Sequence, residues 1–404
     1  MPQSQRIGYL KEQLDRGTVG AVERFWAEIE EKGSPLIEPF DETYALATFV
    51  FRHTPEASVL VAGFALGWEY SAIKLSRLEG TDLWYRTFKL PRTARFSYFQ
   101  VINVSEEEWD ASLSQLVVPS YQMDPLNRHP YPPDTPWASI VVMPDAPALP
   151  ETQLPEGPAG TLETILLESP ALGGERKAVV YLPPGYSASG APCSLLLVFD
   201  GEAYQHGMCP PKLVDGLIAA GRIPPTVVVY LGGVFDQLKR KQEFVGNERF
   251  LDYVAEELLP LIRERYHVSK EQSQTAIMGY SFGGYAVLRL VARHPHRFGR
   301  VYAQSPHAYL NPEFPSTSPE PGALIRAFRD MEPMPIRWQL DVGELEGPTI
   351  IWKAESMIAS TRHLRDVLLA KGYEVRCTTY PGGHDMFWYA SLTGEGLTYL
   401  LGPA

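Results

Sequence analysis

The sequence predicts an α/β fold, a doubly wound and mostly parallel sheet, preceded by a smaller β-sandwich domain. Three observations carry that expectation. Continuous apolar runs such as Ser194-Leu195-Leu196-Leu197-Val198-Phe199 and Thr226-Val227-Val228-Val229-Tyr230 read as strands buried on both faces, and helical patterns alternate with them. Earlier in the chain, β-branched and aromatic runs follow one another with turn residues but no helix between them, as in a sandwich. At 404 residues the chain also exceeds the size at which one core usually stops growing.

In chain order, residues 7–32 place Leu10, Leu14, Val19, Val22, Phe25, Trp26 and Ile29 at helical spacing, interrupted near Gly17 and Gly20. One or two helices should open the chain. Residues 44–51, 58–65, 83–90 and 95–104 predict strands. Prolines crowd residues 119–158, which predicts a linker, with the boundary near 150: an N-terminal domain over 1–150 and a second domain over 151–404. Beyond it, strands are expected at 160–168, 177–182, 194–199, 226–230, 274–278, 300–303, 336–342 and 375–380, with helices notably at 247–266 and 351–371.

Composition narrows the function. Lys plus Arg number 36 against 48 Asp plus Glu, a net charge of -12, which argues against nucleic acid or an anionic membrane as partner. No stretch approaches the roughly 18 apolar residues of a membrane helix, and no apolar leader follows the first residues. The three cysteines, Cys193, Cys209 and Cys377, lack metal-ligand spacing and suggest a reducing, cytoplasmic setting. No metal or other cofactor is expected, and oligomeric state is left open.

The sharpest motif is Gly279-Tyr280-Ser281-Phe282-Gly283-Gly284, which fits G-x-S-x-G between an apolar strand and a helical run. A tight strand-to-helix turn exposes a hydroxyl there, and the helix start favours developing negative charge. Ser281 is therefore the expected nucleophile. The fold supplies its partners in the order Ser, acid, His. His384, in the loop Pro381-Gly382-Gly383-His384-Asp385, is the expected base, since His363 falls within a helical pattern. The acid should follow the strand at 336–342, where Glu344 and Glu346 both occur; Glu346 is preferred, although the residues alone do not choose. The oxyanion should meet the N–H of Phe282 and a second donor from Gly201 or Glu202, after the strand ending at Phe199. His294 and His296 fit helix-end roles better than metal ligation.

Taken together, Tyr181-Leu182-Pro183-Pro184-Gly185-Tyr186, Asp200-Gly201, Glu256-Glu257-Leu258-Leu259-Pro260, the Ser281 motif, Phe298-Gly299 and Gly382-Gly383-His384-Asp385 resemble the esterase D-type α/β-hydrolases. Phe25-Trp26, Gly33-Ser34-Pro35, Gly80-Thr81-Asp82-Leu83-Trp84, Asp124-Pro125-Leu126-Asn127 and Met143-Pro144-Asp145-Ala146-Pro147 narrow the resemblance to the enterochelin (ferric enterobactin) esterases. That resemblance implies a cytoplasmic serine esterase that opens the ester bonds of an anionic ferric catecholate siderophore, an enterobactin-like trilactone, so that iron is released. It implies Glu346 as the acid, three residues after Gly343, and Arg240 as a substrate-binding cation within Lys239-Arg240-Lys241; Tyr280, beside the nucleophile, and His307, in a segment that departs from the family pattern, are further candidate substrate contacts. The segment Ser305-Pro306-His307-Ala308-Tyr309-Leu310 departs from the small residues and tryptophans usual there. Two alternatives remain beside it: a general carboxylesterase or acyltransferase of the esterase D type, and a binding module with a vestigial site.

Overall fold

The computed structural model describes residues 3–54, 58–115, 117–132, 134, 136–150, 153–168, 172, 174–232, 237–310, 322–347 and 356–403. The described chain forms two compact units. The first comprises Met1–Ala148 together with Pro381–Asp385; the second holds the remaining described residues.

The first unit opens with helices Gln5–Asp15 and Ala21–Lys32, which end and begin around the predicted glycine break. Its strands are β1 (Leu36–Pro39), β2 (Tyr44–Arg52), β3 (Val59–Ala62), β4 (Ser76–Arg77), β5 (Leu83–Pro91), β6 (Arg95–Ile102), β7 (Tyr121–Gln122), β8 (Pro130–Tyr131) and β9 (Ala138–Val142). They make two antiparallel sheets, β1-β2-β5-β4 and β3-β6-β9-β8, with β7 paired to β6. Because successive strand residues point to opposite faces, Phe49 of β2 reaches across to Tyr98 of β6, 4.7 Å between ring centroids. Val50 of β2 turns the other way, onto the apolar face of the two leading helices with Ile7, Leu10, Phe25 and Ile29. On the far face of the second sheet, Val101 packs with Trp68, Trp109 and Leu113, the last two from helix Glu106–Ser114. The sandwich thus carries a helical cover outside each sheet.

The proline-rich stretch is not simply a linker. It contributes β7, β8 and the half-buried β9 to the second sheet, because Pro at strand ends and turns leaves the intervening residues free to pair. Several residues behind the N-terminal resemblance lock this unit together: Trp26 Nε1 donates to Asp82 (2.9 Å), Tyr98 donates to Asp124 (2.7 Å), and Asn127 donates to the Ser34 carbonyl (2.9 Å).

The second unit is built on one eight-stranded sheet of β10 (Thr161–Glu168), β11 (Glu175–Leu182), β12 (Ser194–Val198), β13 (Thr226–Leu231), β14 (Thr275–Tyr280), β15 (Arg300–Gln304), β16 (Arg337–Gly343) and β17 (Glu374–Tyr380). Its order is β10-β11-β13-β12-β14-β15-β16-β17, antiparallel as far as β13 and parallel from β13 onward. Every residue of β12 and β13 is buried, as their unbroken apolar sequence requires. Helices Pro211–Ala219, Gln237–Gly246, Phe282–Arg293, Ala323–Asp330, Met357–Ala370 and Met386–Leu401 supply the layers that cover the sheet. Residues 351–355 of the helix expected at 351–371 lie outside the described residues. Among the described residues, no helix is long and apolar enough to cross a membrane.

Candidate active site

The parallel register brings the functional loops to one edge of the sheet. Tyr280 pairs with Gln304, Gln304 with Asp341, and Gly343 with Tyr380, so the segments leaving β14, β15, β16 and β17 emerge side by side at the strands' carboxyl ends. This is where open α/β sheets place their chemistry.

Ser281 sits at the turn between β14 and helix Phe282–Arg293 with φ 55° and ψ -122°. A side chain in that region costs about 1–3 kcal/mol, and such strain persists only where the surroundings enforce it. Here the enforcement is visible: Ser281 N–H donates to the Gln304 carbonyl (2.9 Å) while its carbonyl accepts the first helical bond from Tyr285 (2.9 Å). Gly279 permits the tight return, since a Cβ there would lie 2.7 Å from the Gly283 carbonyl group. Phe282 is the first helical residue, so its N–H stands at the helix start, where the backbone dipoles favour negative charge.

The adjacent strand carries the turn expected to hold the second donor. Val198 pairs with Met278, which sets the Asp200-Gly201-Glu202 turn beside the Ser281 turn. Gly201 is buried, and a Cβ on it would stand 2.6 Å from the Leu231 carbonyl oxygen, so only glycine fits this close approach. Gly201 and Glu202 line a cavity of about 300 Å³ with Lys177, Gln205, His206 and Tyr230 among its other walls.

The two candidate acids are treated very differently. Glu344 is exposed, whereas Glu346 is buried at 3% exposure. One Glu346 oxygen, Oε1, accepts from Ser305 Oγ (2.6 Å), Gly343 N–H (2.8 Å) and the Tyr380 hydroxyl (2.9 Å). Burial first, and the Glu346 carboxylate second, push the Tyr380 phenol well above its ordinary pKa, which keeps it a donor. Ser305, with φ 43° and its N–H on the Asp341 carbonyl (2.7 Å), is shaped for that contact. Sequence reasoning missed Ser305 and Tyr380; their position at the ends of strands flanking β16 was the available signal. We expect Glu346→Gln to lower kcat by roughly 10³- to 10⁴-fold and Glu344→Gln to leave it within twofold, as steady-state hydrolysis of an aryl ester would show.

His384 and its loop cluster with the first unit. The imidazole is half-buried beside the Phe64 ring, 4.8 Å between centroids. Asp385 is 2% exposed and accepts from the Ser97 N–H (2.9 Å), the Ser97 hydroxyl and the Gly383 N–H (3.0 Å).

The structure places the remaining expected residues as follows. Arg240 is not the open cation that substrate binding calls for: it is buried at 6% exposure, its Nε and Nη2 donating to the two Asp200 oxygens at 2.6 and 2.7 Å. Nη2 also reaches the Tyr280 carbonyl (3.3 Å), and the guanidinium lies over the Tyr280 ring at 4.9 Å. Burial opposes the Arg240 charge, but Asp200 more than offsets it and its pKa is raised. Lys239 by contrast is exposed, so the three-residue basic cluster splits at its centre, as helix Gln237–Gly246 turns Arg240 inward. Tyr280 is likewise engaged, packed against Arg240 and 5.9 Å from the Tyr204 ring. His307 is 3% exposed in the buried turn after β15. His294 Nε2 donates to Asp252 (2.9 Å), a carboxylate that Arg293 also grips through Nε and Nη2, a contact at the helix end.

Comparison with known proteins agrees with this architecture. The family model described as "Putative esterase" matches residues 169–399, and the one described as "Enterochelin esterase, N-terminal" matches residues 46–152. The chain belongs to the enterochelin esterase family. This esterase is 26% identical to the iron(III) enterobactin esterase of Dickeya dadantii, over 99% of this chain and 98% of that one. It is also 26% identical to the iron(III) salmochelin esterase of Escherichia coli O6:H1, over 98% of each. Among solved structures, the ferric enterobactin esterase of Salmonella typhimurium superposes with a TM-score of 0.71 at 23% identity, covering 94% of this chain and 98% of that one. The enterobactin esterase of Shigella flexneri, crystallised in the presence of enterobactin, gives 0.68 at 22% identity over 95% and 98%. The enzyme is a carboxylic-ester hydrolase with the α/β fold and N-terminal domain of that family.

Proposed function

We propose that this esterase opens the ester bonds of a ferric catecholate siderophore, an enterobactin-like trilactone, through an acyl-enzyme on Ser281. The observation that carries the reading is end-to-end correspondence: both family models match, and the curated relatives that act on iron(III) enterobactin and salmochelin align across nearly their whole length. The strained turn at Ser281 and the buried, triply bonded Glu346 support the catalytic assignment.

In this reading Ser281 Oγ attacks an ester carbonyl carbon as its proton passes to His384, and Glu346 stabilises the imidazolium. The tetrahedral oxyanion accepts from the Phe282 N–H and from the Gly201–Glu202 amides. Collapse breaks the ester C–O bond, the leaving alkoxide takes the proton from His384, and the acyl group remains on Ser281. Water, deprotonated by His384, then adds to the acyl carbon; collapse returns the proton to Ser281 and frees the acid. With Arg240 committed to Asp200, positive charge toward an anionic ligand has to come from elsewhere, and Lys177 at the cavity beside Glu202 is suitably placed.

Mass spectrometry of products from iron-loaded trilactones, iron-free trilactones and plain aryl esters tests the proposal. Ring opening of the catecholates at rates above those for aryl esters is expected. Turnover confined to the aryl esters would move the assignment to a general carboxylesterase.

A further inference from the structure

We propose that Ser97, on β6 of the N-terminal sandwich, is a positioning residue for His384, acting through Asp385; the inference rests on His384 being the base of the reaction above. The five-residue segment Pro381–Asp385 separates a strand and a helix of the second unit, yet it clusters with the first. Its contacts there are specific. The Arg95 N–H donates to the Pro381 carbonyl (2.8 Å), capping the start of the loop on the first residue of β6. Two residues along the same strand, both the N–H and the hydroxyl of Ser97 converge on Asp385 Oδ1, while Asp385 Oδ2 folds back onto the Gly383 N–H at 3.0 Å. His384 therefore lies between Asp385, which carries the anchored carboxylate, and Gly383, which donates to it.

The carboxylate is 2% exposed, so each of these bonds works in a weakly screened environment and is of the strong, charge-assisted kind. The ring itself is backed by Phe64, whose edge contact with Trp68 (5.1 Å) joins it to the stack of Trp68 on Trp109 (6.0 Å). Trp109 is in turn fixed by its indole N–H on the Trp68 carbonyl (2.8 Å). By strand alternation Ser97 is on the same face of β6 as Phe99 and Val101, the face that this aromatic cluster covers. One face of the sandwich thus provides both the hydrogen bonds to the loop and the wall beside the imidazole. A general base must be held to within a fraction of an ångström to work, and displacement of about 1 Å can cost on the order of 100-fold. On this account the N-terminal sandwich has a catalytic-geometry role, separate from any contact it makes with substrate.

The test uses the full-length chain and compares Ser97→Ala, Ser97→Thr and Asp385→Asn with Ser281→Ala, reading kcat and KM on an aryl ester together with amide hydrogen exchange of residues 381–386. Ser97→Ala should lower kcat by about 10- to 100-fold with KM within about twofold, speed exchange at Gly383, and be substantially rescued by Ser97→Thr, which restores the hydroxyl. Asp385→Asn should act in the same direction and more strongly. Unchanged kcat in Ser97→Ala alongside an inactive Ser281→Ala overturns the positioning role and leaves the esterase mechanism standing. Unchanged exchange at 381–386 in Ser97→Ala overturns it as well, whatever the kinetics. Retained activity in Ser281→Ala would instead bring down the mechanism itself, and the inference with it.

Discussion

Replacing Ser281 with alanine is expected to lower kcat by roughly 10⁴- to 10⁶-fold, the range found when the nucleophile of a serine hydrolase is removed. His384→Ala should fall by a similar factor, because the two groups act as one unit and neither retains much value alone. Both variants should keep the fold and lose labelling by a fluorophosphonate. Ser281→Gly adds a sharper physical test. At φ 55° and ψ -122° any side chain is strained, so glycine should be inactive yet more stable than the parent by about 1–3 kcal/mol in urea unfolding. An inactive glycine variant with no gain in stability would mean that the turn is relaxed in solution and that strain has no part in presenting the hydroxyl.

The turn at Ser281 was legible because three independent signals coincide within a few residues: an apolar strand, glycines at a tight turn, and a helical run. The buried strands were legible for a related reason, since a strand covered on both faces can hardly be written except as a continuous apolar run. Polar residues that act through burial were not. Nothing local distinguishes Glu346 from Glu344; the difference arises from Ser305 and Tyr380, contributed by neighbouring strands tens of residues away. The burial of Arg240 was hidden for the same reason. A Lys-Arg-Lys run looks like a solvated basic patch until a helix turns its middle member inward, onto a carboxylate 40 residues earlier. The proline-rich stretch failed differently. Proline marks where pairing must stop, and β9 fits between such stops, so composition alone concealed a strand. The bond between Ser97 and Asp385 spans 288 residues and joins segments that sequence analysis assigns to separate domains; no periodicity could announce it.

The buried pair of Asp200 and Arg240 leads to the second large effect. Asp200 occupies the left-handed region at φ 54°, and Arg240 ties its carboxylate to the Tyr280 carbonyl, one residue before the nucleophile. The same carboxylate is packed against helix Phe282–Arg293, where a Cβ on Gly283 would be 2.6 Å from Asp200 Oδ2. Arg240→Met removes one partner and leaves a charge stranded in the interior, a change that typically costs about 3–5 kcal/mol. Pairing it with Asp200→Asn, which tolerates the left-handed backbone and removes that charge, should recover more than half of the loss in urea unfolding. Additive losses in the double variant would show that the pair is not coupled. Kinetics then separates the two roles open to this arginine. A cation that binds substrate would, when removed, raise KM for an anionic ester far more than for a neutral one. An arginine that braces the Ser281 turn from beneath would lower kcat for both to the same extent with little change in KM. The full engagement of its guanidinium by Asp200 and Tyr280 predicts the second pattern, and a selective loss on anionic esters would return Arg240 to the binding surface.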